Sequence, residues 1–354
     1  MSYNPNKAIH PGHALAKALN GEGMTQKSLA ERTGLTEKHI SQMINGEASI
    51  TVETALLLEN VLGGTASFWI NLEKHYQETN ARLERRSSIV NELGLVSKFP
   101  YKELVKRGYV EQTGNRENKV ENLWKFFGVN SLAFVQDMDP IVYRKKSGLN
   151  VKNEHISAWL RCGELEAKKI TLPEYSETKL KELLPTLKTL STKNAKEYSK
   201  AVTEMLHGAG VGLIYTPHFP GTGVSAAVRW VGNNPLIQLS IYYPWADIFW
   251  FNLYHEIGHL VLHGKKDRFI EFDDKELSSV QEKEKEADEF AKEGLIPSKA
   301  YSELIAGPLT KQGVVDFAKN QGIDTGIVAG RLCHDRKVNW KSVSSLRPRL
   351  KFVS

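Results

Sequence analysis

The sequence predicts a multidomain, mainly helical protein that combines an all-α bundle at the N-terminus, a helical connector and a C-terminal α+β domain with a small sheet. Three observations lead to this fold class. Short helical segments separated by glycine turns occupy residues 10–76, helical spacing continues through residues 81–200, and three β-type runs then precede a long apolar helix. The 354 residues fit two or three domains. We place the domain boundaries at 1–80, 81–150 and 151–354.

The first domain has the pattern of a helix-turn-helix motif. One helix is predicted over Gln26–Thr33, and a second helix follows from its predicted cap, Thr36, to about Asn45. Gly34 lies in the tight turn between them. Two helices joined by a short turn that contains Gly are typical of this motif, in which the second helix enters the major groove of DNA.

Polar side chains are concentrated on the face of this motif that would meet double-stranded DNA. Gln42 and Asn45 can read adenine edges, and Lys38 can contact guanine or phosphate. The predicted DNA-binding residues are Gln26, Lys27, Thr36, Lys38, His39, Ser41, Gln42 and Asn45. The alternative is a small bundle with a polar outer face. Residues 1–80 carry six Lys and Arg against eight Asp and Glu, which opposes tight DNA binding. We favour DNA binding because the polar residues lie on the expected face.

The formal charge of +6 is unevenly distributed along the chain. Residues 81–200 carry twenty-three Lys and Arg against fifteen Asp and Glu, and a smaller basic cluster follows Asp335. Such surfaces are either solvated or contact an acidic partner. The two cysteines, Cys162 and Cys333, form no Cys-x-x-Cys pair and indicate a reducing compartment. Because no apolar run approaches the length of a membrane span, we expect a cytoplasmic protein with no membrane partner.

The second half of the chain predicts a small sheet. Its β-type runs are Val211–Thr216, Val224–Trp230 and Leu236–Ile241, and prolines interrupt the segments between them. A sheet placed beside the following helix is expected to hold an extended peptide by strand addition at its edge.

That following helix carries the clearest chemical pattern in the chain. His255, Glu256 and His259 form a His-Glu-x-x-His motif within an apolar run from Ile248 to Leu262. Helical positions four apart share one face, so the two imidazoles can bind one metal ion, and Glu256 can accept a proton from the attacking water. The alternative is a chance match. Burying these polar groups in apolar surroundings is costly unless they are paired or bound to metal, so we favour a zinc hydrolase.

The third ligand is expected to be a carboxylate, because no third histidine continues the motif in the way that metzincins require. Many acidic residues between Asp267 and Glu289 are candidates, and Glu286 borders the buried stripe of a predicted helix. Other residues have more than one interpretation. His263 either supports the site by a hydrogen bond or acts as a ligand. Arg331 or His334 either stabilises the oxyanion or is a surface group.

Residues 254–263, with Glu286-Ala287-Asp288-Glu289-Phe290-Ala291 and Leu295-Ile296-Pro297, resemble the ImmA/IrrE family of bacterial metallo-endopeptidases. The resemblance implies a zincin-like peptidase domain. It also implies Zn²⁺ ligands at His255, His259 and Glu286, with Glu256 as the catalytic base.

The N-terminal domain carries a second resemblance. His10-Pro11-Gly12, the helix-turn-helix motif, residues 50–58 and Phe68-Trp69-Ile70-Asn71-Leu72 are similar to HigA-type antitoxins of the Xre/Cro class of regulators. The similarity covers residues 8–78. It implies a homodimer that binds an operator, and a toxin as a possible partner.

These observations support three functional hypotheses. The first is a DNA-binding transcriptional regulator whose zinc endopeptidase domain cleaves a regulatory protein, either a repressor partner or itself. The second is a HigA-like antitoxin or repressor whose zinc domain acts as a sensor or partner-binding module without proteolysis. The third is a scaffold that neutralises a toxin encoded alongside. All four positions that the resemblance implies for the zinc site are present, which favours the first hypothesis.

Overall fold

The computed structural model of the chain describes residues 7–135, 152–240, 242–263 and 274–350, with only the backbone described from 274 to 281. The predicted fold class is confirmed, since the described residues are mostly helical and include one three-stranded sheet. Contacts divide the chain into two units, Met1–Gly94 and Leu95–Ser354. Among the described helices, none has both the length and the apolar character that crossing a membrane requires.

The first unit is a bundle of helices around its own apolar core. Its helices are α1 (Gly12–Gly21), α2 (Gln26–Thr33), α3 (Glu37–Asn45), α4 (Val52–Leu62) and α5 (Ala66–Glu92). The fully buried core includes Leu15, Leu29, Ile40, Met43 and Leu58. The two helices predicted for the motif are confirmed. Residues next to each helix end determine their bounds.

Caps and turns determine where these helices begin and end. The Thr25 hydroxyl accepts a hydrogen bond from the Ser28 amide, and Thr36 accepts one from His39, each at 3.1 Å. Gly34 and Gly46 follow the two helices with φ angles of 74° and 83°. This left-handed conformation favours glycine, which explains why both helices stop there.

Helix α5 runs for 27 residues without a break. The predicted boundary at residue 80 therefore falls inside a helix, and the one at residue 150 lies outside the described residues. The part of the predicted connector that follows Gly94 belongs to the second unit. One contact that joins it to that unit is the hydrogen bond of 2.8 Å from Arg161 Nε to the Phe126 carbonyl.

The second unit begins with helices and then forms the sheet. The helices are α6 (Tyr101–Lys106), α7 (Arg116–Phe127), α8 (Asn153–Ala167), α9 (Glu177–Thr189) and α10 (Ala195–Gly208). The strands are β1 (Gly212–Tyr215), β2 (Ala226–Val231) and β3 (Asn234–Leu239), in the order β1-β3-β2. Strand β3 pairs parallel with β1 and antiparallel with β2. The three predicted strands are thus confirmed with small shifts at their ends, and Ile241 lies outside the described residues.

The helix that carries the His-Glu-x-x-His motif lies at the centre of this unit. It is α11 (Ala246–Leu262), and the helices after it are α12 (Asp274–Leu295), α13 (Ser298–Ala306), α14 (Lys311–Gln321), α15 (Thr325–His334) and α16 (Trp340–Val343). Helix α11 contacts α12, α15 and strands β2 and β3. Its side chains Trp250, Leu253, Tyr254 and Ile257 are fully buried in the main core. The predicted burial of this helix on nearly all sides is confirmed.

The end of the described chain is tied to the start of α11 by a buried ion pair. Arg347 donates to Asp247 Oδ2 from Nε at 3.0 Å and from Nη2 at 2.7 Å. The Arg347 guanidinium also lies over the rings of Trp245 and Trp340, at 4.6 and 4.4 Å from their centroids. Burial raises the pKa of Asp247, and Arg347 partly offsets that shift. The pair therefore holds the first turn of α11 against a segment 100 residues later in the chain.

Replacing Arg347 with methionine should leave a buried carboxylate without its counter-ion. We expect the Arg347→Met variant to lose about 3–5 kcal/mol of the free energy of unfolding. Urea unfolding followed by tryptophan fluorescence measures this loss. The matched control is Arg349→Met, because Arg349 is exposed and contacts the same Trp245 ring without reaching Asp247. We expect the control to lose about 1 kcal/mol or less, and equal losses in both variants would contradict the role of the buried pair.

Candidate metal centre and DNA-reading helix

Two histidines of α11 face each other on its buried side. Their side chains are 1 % and 7 % exposed, for His255 and His259 respectively, and their Nε2 atoms are 3.0 Å apart. This arrangement follows directly from the helix, because residues four apart lie one above the other on a single face. The predicted pairing of the two imidazoles is therefore present.

The carboxylate of Glu284, on α12, lies within reach of both imidazoles. Its Oε2 lies 3.2 Å from His255 Nε2, and its Oε1 lies 3.2 Å from His259 Nε2. His255, His259 and Glu284 are the residues whose donor atoms cluster closely enough to hold one metal ion within the described part of the chain. Burial acts to raise the pKa of Glu284, but hydrogen bonds from the two histidines, together with their charges, outweigh it and lower that pKa.

The donor set fits a zinc ion. Two imidazole nitrogens and one carboxylate are a usual protein ligand set for catalytic zinc, and tetrahedral coordination places such donors about 3.4 Å apart. The observed separations of 3.0, 3.2 and 3.2 Å are close to that value. His255 is also oriented for this role, because its Nδ1 lies 2.9 Å from Asp288 Oδ1. A carboxylate at Nδ1 leaves Nε2 as the metal-binding nitrogen.

Close packing of α11 on α12 brings the carboxylate within reach. Gly258 faces α12, and a Cβ atom at this position would lie 3.1 Å from Phe290 Cδ1 and 3.3 Å from the Ala287 Cα. Ala287 and Ala291, on the facing side of α12, are fully buried. Small residues on both helices therefore allow the short distance between Glu284 and the histidines.

The structure places Glu284, and not the predicted third ligand Glu286, beside the two histidines. Glu286 does not reach the two Nε2 atoms. Its side chain is 54 % exposed, and its Oε2 lies 3.6 Å from His263 Nδ1. Helical geometry gives the reason, since two residues along an α-helix turn the side chain to the opposite side. Glu284 shares its face with Ala287, Asp288 and Ala291, so it points to α11, whereas Glu286 points away from the group.

Glu256, the predicted base, is 1 % exposed and lies between the two histidines in sequence. His263, predicted to support the site, packs at the end of α11, with its Nε2 3.3 Å from the Lys283 carbonyl. Its ring centroid is 5.3 Å from that of His259. His263 thus contacts the segment that carries Glu284.

A cavity of about 810 Å³ adjoins this group. Glu284 and Asp288 line it, and so do Arg331 and His334 of α15. The structure therefore brings both residues predicted near the oxyanion to the cavity. Arg331 Nε is 2.6 Å from Asp335 Oδ2, and its guanidinium lies over the Tyr301 ring. The side chain of His334 is 72 % exposed.

The predicted DNA-reading residues lie on the outer side of the first unit. Helix α3 buries Ile40 and Met43 in the core. On its other side Thr36, Lys38 and Asn45 are exposed, and His39, Ser41 and Gln42 are partly exposed. Lys27 is exposed and Gln26 partly exposed at the start of α2. Helix α3 thus presents a polar face to solvent and an apolar face to its own bundle.

Comparisons with known proteins address both units. A family model described as Helix-turn-helix matches residues 15–69, and one described as IrrE N-terminal-like domain matches residues 247–332. Virulence-associated protein I of Dichelobacter nodosus is 31 % identical over 85 residues, which are 24 % of this chain and 79 % of that protein. Antitoxin HigA-1 of Vibrio cholerae is 33 % identical over 77 residues, which are 21 % and 72 % of the two chains. The chain belongs to the HigA-type helix-turn-helix family.

A solved structure of the HigA family is also similar. This addiction module antidote protein from Coxiella burnetii is 33 % identical, spans 24 % of this chain and 95 % of its own, and gives a TM-score of 0.23. Both predicted resemblances are confirmed. The chain is a DNA-binding regulator in which a HigA-type unit is fused to an IrrE-like peptidase domain.

The ligand set is tested by comparing two glutamates two residues apart. We expect Glu284→Gln to weaken zinc binding by more than about 100-fold. Loss of a residue that only orients a ligand weakens metal binding by roughly 10- to 100-fold, so a larger loss indicates a ligand. Glu286→Gln has the same change in charge and volume on the same helix and should bind zinc like the wild type. Competition with a chromogenic chelator measures both affinities. A larger loss in Glu286→Gln would restore the ligand set that the family resemblance implied.

Proposed function

We propose that this regulator is a zinc-dependent endopeptidase that hydrolyses a peptide bond in a regulatory protein, either a repressor partner or the chain itself. The observation that carries the proposal is the convergence of His255, His259 and Glu284 next to a cavity, with the buried Glu256 beside them. A carboxylate next to a metal-binding group is the arrangement that activates water for attack on an amide.

Each residue has a defined role in this mechanism. His255, His259 and Glu284 would hold Zn²⁺, which supplies Lewis-acid polarisation of the substrate carbonyl when bound. Glu256 accepts a proton from the attacking water and transfers it to the leaving nitrogen. Asp288 orients His255 through its hydrogen bond to Nδ1. Arg331 and His334 line the cavity, where a hydrogen-bond donor would stabilise developing negative charge on the carbonyl oxygen.

The sheet offers a path for an extended substrate. Strand β2 is at the edge of the sheet, and Gly223 and Ser225, which precede it, line the same cavity as Glu284. The Ser225 carbonyl accepts a hydrogen bond from the Ser240 amide. Because backbone groups alternate in direction along an antiparallel strand, those of Ala226 and Val228 face the outer edge. A peptide that adds a strand there would pass beside the metal-binding group.

The HigA-type unit supports the choice of a regulatory protein as substrate. We propose that α3 reads an operator in the major groove and that the chain binds its operator as a homodimer. A peptidase joined to a DNA reader is held near other DNA-bound regulators, which raises its effective concentration for them.

The similarity to Antitoxin HigA-1 favours a second candidate. In it the HigA-type unit binds a toxin partner, and the IrrE-like domain senses a signal or binds a protein without cleaving it. This candidate predicts that zinc is bound while candidate repressors and the chain itself stay intact.

The first test compares the wild type with Glu256→Gln. We expect the variant to keep its zinc content, because Glu256 is not among the three donors, and to lose cleavage by roughly 10²-fold or more, because proton transfer fails. Zinc content is measured by atomic absorption, and cleavage of candidate repressors and of the chain itself is followed by mass spectrometry. Equal cleavage by both proteins would exclude the mechanism. Zinc binding with no cleavage by either would favour the second candidate.

The second test concerns operator recognition. The double variant Gln42→Ala with Asn45→Ala should weaken binding to the protein's own promoter at least tenfold, since each lost base contact costs about 1–3 kcal/mol. The matched control, Asn20→Ala with Asn60→Ala, removes two exposed amides outside α2 and α3. Fluorescence anisotropy at constant salt measures both affinities. The same loss in both double variants would move recognition away from α3.

A further inference from the structure

We propose that the cavity beside the metal-binding group is a specificity pocket that takes a large apolar side chain, Leu, Met or Phe, from the residue next to the bond being cleaved. This inference rests on the proposed peptidase function and names the class of substrate residue that the site selects.

The position of the cavity supports this role. Glu284 and Asp288 line it, so it begins at the metal-binding group. Ile248 and Phe251 line it as well, and they precede His255 by seven and four residues on the same face of α11. Asp247 lines it too, eight residues before His255, which corresponds to about 12 Å along the helix. A side chain that extends from a peptide at the metal-binding group would therefore enter the space between α11, α12 and α15.

The uncharged walls of the cavity are mainly apolar. Three helices and the segment around α16 contribute Ile248, Phe251, Leu295, Ile296, Ile327 and Trp340. Its volume of about 810 Å³ exceeds that of any single side chain, which leaves room for the main chain that carries it. Apolar surface buried on both partners is the dominant favourable contribution in such a pocket.

The charged groups in the walls are already engaged within the protein. Asp247 is bound by Arg347, and Arg331 by Asp335. Asp288 is bonded to His255. Two further side chains in the walls make similar contacts, Lys292 with Glu289 and His334 with Asp335. A charged substrate side chain would have to compete with one of these pairs, and burying it without a counter-ion is costly. An apolar side chain meets no such cost.

The proposal is tested with nonapeptide pools that have one central residue fixed as Leu, Phe, Ala, Glu or Lys and all other positions randomised. Wild-type protein loaded with zinc should cleave next to the fixed residue in the Leu and Phe pools on the order of 1,000-fold faster than in the Ala pool, because Leu has three more carbon atoms than Ala and each methylene in an apolar pocket contributes about tenfold. Mass spectrometry locates the cleaved bonds. Equal rates for all pools would overturn the proposal.

A substitution in the wall should change this selectivity. Ile248→Asp adds a carboxylate to the cavity, so the ratio of Lys-pool to Leu-pool cleavage should rise at least tenfold. The matched control is Phe134→Asp, because Phe134 is 58 % exposed and does not line the cavity. It should leave the ratio unchanged. If Ile248→Asp does not fold, as judged by circular dichroism, Ile248→Ala replaces it and should favour Phe over Leu by widening the pocket. An unchanged ratio in the folded variant would overturn the proposal.

A binding measurement separates failure of the pocket from failure of the peptidase. Immobilised Glu256→Gln protein is incubated with the same pools, and the retained peptides are quantified by mass spectrometry. Preferential retention of the Leu and Phe pools supports the pocket even if the wild type cleaves nothing, in which case the proposed peptidase function fails alone. Equal retention of the Leu and Glu pools overturns the pocket whatever the cleavage result.

Discussion

The close packing of α11 against α12 is the constraint on which the second unit depends. The candidate metal-binding group of His255, His259 and Glu284 takes two residues from one helix and one from the other, so it exists only while the helices stay close. Small residues permit this approach, with Gly258 facing the fully buried Ala287 and Ala291. The rest of the unit maintains it. The sheet and α15 contact α11 on its other sides, and the Asp247–Arg347 pair anchors its first turn.

The same helix geometry explains which parts of the site could be predicted from sequence. His255 and His259 are four residues apart on one helix, so local periodicity alone places them together. Predicting the third member of the candidate group required knowing which face of a second helix packs against α11. The family resemblance pointed to Glu286, but the buried alanines at 287 and 291 mark a stripe that includes Glu284 and Asp288. The helical period counted from those alanines identifies both residues. We expect the same count from buried small residues to locate the carboxylate in other proteins in which two helices share such a group.

Contacts between distant parts of the chain could not be predicted. The helix-turn-helix bounds were correct because threonine caps and left-handed glycines act within a few residues of each helix end. The pairing of Asp247 with Arg347 spans 100 residues, and no local pattern encodes such a partner. The boundary predicted at residue 80 falls inside α5, because nothing in the polar stretch of this helix indicated that it continues to Glu92.

Gly258 has a consequence for recognising related IrrE-like domains from sequence. It occupies one of the two positions that the His-Glu-x-x-His pattern leaves open, yet a Cβ atom there would lie 3.1 Å from the Phe290 ring and 3.3 Å from the Ala287 Cα, which is closer than ordinary van der Waals contact. The open position is thus constrained by sterics, although it takes no part in the chemistry. A sequence search for this architecture becomes more selective when it requires glycine at the position of Gly258. It should also require alanines three and seven residues after the glutamate, as Ala287 and Ala291 follow Glu284. Such a composite pattern would discard chains that have the His-Glu-x-x-His motif but whose helices cannot pack closely enough to bring the carboxylate to the two histidines.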